Sequence, residues 1–106
     1  MAAVDTTALA AIVSTCFSWS QDATLPSDQR WTYYNLGLHL RAELVDAYTA
    51  TFPDTDTRIA ALNTQLGGIN TDLAAEQAIE SSYAQNVNKI TSALNILDQL
   101  FMMVPK

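Results

Sequence analysis

Residues 59–104 read IAALNTQLGGINTDLAAEQAIESSYAQNVNKITSALNILDQLFMMV, and the spacing of their apolar side chains decides the fold class. Twelve of fourteen heptad a and d positions are apolar: Ile59, Leu62, Leu66, Ile69, Leu73, Tyr83, Val87, Ile90, Leu94, Leu97, Phe101 and Val104. Glu76 and Glu80 are the two exceptions. A repeat of about 3.5 residues held this long marks helix that buries one seam against partners. Gly67-Gly68 is the local weakness, since two glycines cost about 2 kcal/mol in a helix interior. The heptad phase nevertheless passes undisturbed from Leu66 to Ile69. Two readings follow: one continuous helix over about residues 56–103, or a break at the glycines with Asn70 or Thr71 capping a fourth helix.

Upstream, Leu9, Ile12, Val13, Cys16 and Phe17 recur at helical spacing, which predicts helix 1 over about residues 6–19 with Asp5 or Thr6 as its cap. SQDATLPS at residues 20–27 has the polar and proline content of a loop. Helix 2 is expected over about residues 28–52, stopped by Pro53. Its heptad reads Trp31, Tyr34, Leu38, Arg41, Val45, Tyr48 and Phe52, and a second apolar row runs through Leu36, Leu40, Leu44 and Ala47. Both faces therefore expect contact. Asp54 to Asp56 supply caps and negative charge where the next helix begins.

A chain that doubles back near Asp54 lays helix 2 along residues 56–80 and helix 1 along residues 89–102. The expected fold is all-α: a long antiparallel hairpin of three helices, or four if broken at Gly67-Gly68, in one domain over residues 1–106. Its C-terminal helix would be about 70 Å long at 1.5 Å per residue. Such a two-helix arm leaves the wide apolar faces of helices 1 and 2 bare, and oligomerisation into a bundle, with a dimer preferred, covers them. The rival is a compact fold in which helix 1 turns back at the 20–27 loop.

Only 15% of the 106 residues are charged, and Thr (12), Ser (7), Asn (6) and Gln (6) take up the polar share. Short uncharged side chains can sit against a neighbour without stranding charge, which suits an assembly subunit. The net charge of −6 and the absence of any basic run argue against phosphate-backbone binding and against anionic membranes. No apolar run approaches the roughly 18 residues of a spanning helix. The first twenty residues carry Asp5 and no Lys or Arg, so they lack a signal peptide's basic start. These readings place the protein in the cytoplasm or within a larger assembly. Cys16 stands alone and reads as a small core hydrophobe.

Chemistry-bearing residues are sparse. His39 and Glu43 stand at i, i+4 on helix 2, and Glu76 and Glu80 at i, i+4 on the long helix, the residue types of a carboxylate metal site. The Glu-x-x-His spacing of di-iron bundles is absent. The hairpin register instead puts Arg30 near residue 78, which favours a register-setting ion pair of Arg30 with Glu76 and Glu80. It also sets Arg41 opposite Gly67-Gly68, where the glycines would make room for it. Trp31, Tyr34, Tyr48, Phe101, Met102 and Val104 are the expected interface residues. Tyr33 and Tyr34 are adjacent, so one of them must leave the seam. One His, one Cys and no phosphate loop or nucleophile elbow leave no catalytic machinery to assemble and imply no cofactor.

The Ala, Thr, Asn, Gln and Ser richness of the last fifty residues resembles the helical segments of self-assembling bacterial filament or phage structural subunits. That resemblance is compositional and transfers no residue. The expectation is a non-enzymatic helical subunit that binds itself or a protein partner. The alternative is a metal- or small-ligand-binding bundle using His39, Glu43, Glu76 and Glu80.

Overall fold

The computed structural model describes residues 2–76 and 80–102, with the side chains of Glu76 and Glu80 outside the described set. Four α-helices account for these residues: α1 (Thr6–Ser20), α2 (Ser27–Ala47), α3 (Thr57–Glu76) and α4 (Tyr83–Met102), the last preceded by a 3-10 turn at Glu80–Ser82. The all-α expectation holds. The single long C-terminal helix does not, because the longest dimension of the molecule is 43 Å.

The heptad stripe belongs to two helices that face each other. Ile59, Leu62, Leu66, Ile69 and Leu73 of α3 are buried, and so are Ile90, Leu94, Leu97 and Phe101 of α4. Between Leu73 and Tyr83 the a and d positions hold only Glu76 and Glu80, so a straight helix there would gain no burial to offset its ordering. The helix instead ends at Glu76 and the chain doubles back, bringing Lys89 Nζ to 3.2 Å from Asp72 Oδ2. Gly67 and Gly68 lie inside α3, exposed, with the Thr71 hydroxyl donating to the Gly67 carbonyl across the turn. A methyl added at either glycine would meet no atom within 4 Å. The expectation that they make room for Arg41 is therefore corrected.

The packing partners also differ from the hairpin. α1 packs on α2 and α3, and α4 packs on α2 and α3, which closes a four-membered ring. α1 and α3 run parallel: the Asn63 amide donates to the Ala3 carbonyl and accepts from the Asp5 N–H, while Asn70 donates to the Ala8 carbonyl. α2 and α4 are parallel too, with Tyr83 beside Thr32, Asn86 beside Tyr33 and Asp98 beside His39. Residues 48–56 thus cross from one corner of the ring to the opposite one. Phe52 leaves helix 2 to pair its backbone with Ala2 through two 2.8 Å hydrogen bonds, and its ring is buried within 6.3 Å of Phe101. That pairing is why α2 stops at Ala47 and not at Phe52.

Helix ends follow ordinary capping chemistry. Asp5 accepts from the Ala8 N–H at 3.0 Å, and Asp56 accepts from the Arg58 N–H while ion-pairing its guanidinium at 2.8 Å. The buried face of α2 is Tyr33, Gly37, Leu40, Glu43, Leu44 and Ala47. It is the second apolar row, not the Trp31 heptad, that turns inward. Gly37 explains the choice: a Cβ there would lie 2.9 Å from the Phe17 ring and 3.2 Å from Cys16 Cβ, so α1 comes closest along this row.

Two outcomes check this packing. Gly67→Ala and Gly68→Ala should each raise stability by about 0.5–1 kcal/mol through helix propensity. Gly37→Ala should lower it by about 1 kcal/mol, its clash outweighing the same gain. Urea midpoints of the three variants test that opposition of sign.

Burial pushes the Cys16 thiol from its ordinary 9.0 up to about 12. Below about pH 9 both folded and unfolded chains hold the proton. Above it only the unfolded chain releases it, so stability should fall as pH rises toward 12. At neutral pH, thiol reagents should modify Cys16 only as fast as the chain unfolds, a rate that iodoacetamide labelling in increasing urea measures.

Candidate functional site

Two groups of side chains stand out, and α2 carries both. The first is its outward row. Because Gly37 and Leu40 face the core, the heptad positions 31, 34, 38, 41, 45 and 48 point away from it. Trp31 is 64% exposed, Val45 63% and Tyr48 65%, with Tyr34 at 38% and Met102 of α4 at 84%. Leu38 is half-buried and Arg41 exposed.

This row is ordered by its own contacts. Trp31 stacks on Tyr34 at 5.5 Å with the rings 8° from parallel, and Tyr34 meets the edge of Phe17 at 5.8 Å. The Arg41 guanidinium lies 5.7 Å over the Phe17 ring. A shallow cleft of about 340 Å³, lined by Ser20, Gln21, Ser27, Arg30, Trp31 and Tyr34, opens at its upper end. The adjacent Tyr33 belongs to a separate, inner ladder: its ring is edge-on to Trp19 at 5.2 Å and to Tyr83 at 5.7 Å. Asn86, fully buried, donates to the Tyr33 hydroxyl at 3.4 Å. Burial holds the Tyr33 phenol above its ordinary value.

The second group lies between α2 and α4. His39 Nε2 is 3.0 Å from Asp98 Oδ1 and 3.7 Å from Glu43 Oε1, and one donor atom from each of the three residues lies within 4.8 Å of the others. A hydrogen bond with Glu43, and then one with His39, keeps the Asp98 carboxyl below its ordinary value. The Glu43 side chain is only 11% exposed, against 48% for His39 and 38% for Asp98, so the group is closed toward the core and open toward solvent.

The sequence-predicted residues divide accordingly. Trp31, Tyr34, Tyr48 and Met102 are on the surface; Phe101 is in the core; Val104 lies outside the described residues. The pair of Arg30 with Glu76 and Glu80 cannot be placed, because those two side chains lie outside the described set. Arg30 sits close enough to Asp22 to help hold its carboxyl below the ordinary value, behind the larger effect of hydrogen bonds from Thr24. His39 and Glu43 lie together with a further carboxylate, Asp98, while the side chains of Glu76 and Glu80 lie outside the described set. Sequence reasoning missed Asp98 and the part of Phe17 in the outer ladder. Asp98 is the only acid on α4, a visible signal once α2 and α4 are known to be parallel.

No protein-family model matches the chain, and no curated protein or solved structure shows significant similarity to it. Among the described residues no helix is long and apolar enough to cross a membrane.

Tyr33→Phe should cost about 0.5–1.5 kcal/mol, since the buried Asn86 amide loses the hydroxyl as an acceptor. Tyr34→Phe, on the more exposed outer row, should stay within about 0.5 kcal/mol. Paired urea titrations of the two neighbours measure the difference between the inner and outer ladders.

Proposed function

We propose that this chain is a non-enzymatic helical assembly subunit that associates with a second copy of itself through the outward row of α2. One observation carries the reading: in the heptad over residues 31–48 the fold leaves Trp31, Tyr34, Val45 and Tyr48 exposed. Five turns of helix at 1.5 Å per residue give a strip about 27 Å long, enough for a helix-on-helix interface. Stacking fixes Trp31 and Tyr34 before any partner arrives, which lowers the entropic cost of docking. Arg41, held by Phe17, is the one charge in the row. Packing two strips antiparallel sets Arg41 beside Leu38 of the other copy, with Trp31 opposite Tyr48 and Tyr34 opposite Val45. The few lysines and arginines, spread along the chain, leave nucleic acid without a basic face to bind.

Sedimentation over a concentration series tests this. The wild type should show a reversible dimer, and Trp31→Ser combined with Tyr48→Ser should weaken it by about thirtyfold or more, the effect of losing anchor residues worth about 2 kcal/mol. A monomer at every concentration would falsify the proposal. Self-association that both substitutions leave intact would place the interface elsewhere.

A further inference from the structure

We infer that His39, Glu43 and Asp98 form a binding site for one divalent transition-metal ion. The inference uses different residues from the outward row of α2 and does not depend on dimerisation.

Two of the three donor separations match those of ligands around an ion. Two donors each about 2.1 Å from a metal lie about 3.0 Å apart at a right angle and about 3.4 Å apart at the tetrahedral angle. The separations of His39 Nε2 from the Asp98 and Glu43 oxygens, 3.0 and 3.7 Å, bracket those values. His39 and Glu43 are one turn apart on one face of α2, and α4 brings Asp98 to them from a second helix, so the three donors converge from two rigid elements.

Charge favours the same occupant. Glu43 is a carboxylic acid placed on the core side of the group, where an uncompensated charge is costly. A divalent ion would offset that cost by taking both carboxylate oxygens together with the imidazole nitrogen. One nitrogen and two carboxylate oxygens suit Zn²⁺, Fe²⁺, Co²⁺ or Mn²⁺ better than Mg²⁺ or Ca²⁺, which take oxygen ligands. The half-exposed His39 and Asp98 leave an open side for the ion to enter and for water to complete its shell.

Calorimetric titration of the full chain with Zn²⁺ near neutral pH tests the site, and Co²⁺ reports ligation through its visible absorption. One ion per chain is expected. Asp98→Asn, which keeps shape and removes charge, and His39→Gln should each weaken binding by tenfold or more, while Asp72→Asn, a carboxylate paired with Lys89 elsewhere, should leave it unchanged. Far-UV circular dichroism of each variant separates loss of ligand from loss of fold. Absence of Zn²⁺ and Co²⁺ binding by the wild type overturns the inference. So does binding that Asp98→Asn leaves within twofold.

Discussion

Everything outside the first helical pair depends on the close approach of α1 and α2 at Gly37. With no Cβ at that position the Phe17 ring and Cys16 come within van der Waals reach of the α2 backbone. This fixes the rotation of α2 about its own axis. Tyr33, Leu40, Leu44 and Ala47 then share the inner face, and Trp31, Tyr34, Val45 and Tyr48 share the outer one. Phe17 becomes the floor on which Tyr34 and Arg41 rest. The same rotation carries Glu43 to the α4 side, where Asp98 meets it.

Much of the helical content was legible in the sequence, because caps, prolines and apolar spacing are local signals. Asp5 caps α1 as those signals indicate, whereas α2 ends at Ala47, short of the Phe52 that Pro53 marks. What the sequence could not resolve was which of two apolar rows on α2 is buried. Trp31, Tyr34 and Tyr48 offer more side-chain area to bury than Leu40 and Ala47. A glycine contributes no such area, yet Gly37 decides the matter by letting a neighbouring helix in.

The heptad over residues 59–104 taught a related lesson. Phase that persists across a gap does not require one continuous helix, since two helices of similar length can keep the same phase and face each other. The gap at Glu76 and Glu80 carried more information than Gly67-Gly68. Glycines on the solvent side of α3 lose only propensity, whereas the nine residues between Leu73 and Tyr83, without an apolar seam position, lose the burial that keeps a helix straight. The metal-type cluster was half visible for the same reason: His39 and Glu43 are local, and Asp98 depends on the parallel pairing of α2 with α4.

The start of α1 is fastened to α3 by Asn63 and Asn70, two neutral amides that bond backbone groups of Ala3, Asp5 and Ala8. Dissolved ions do not weaken such bonds, because they carry no net charge to screen. The chain as a whole bears a net charge of −6, and its carboxylates repel one another. Added salt therefore relieves a strain on this fold while leaving its amide fastenings untouched, the reverse of what it does to bundles held together by surface ion pairs.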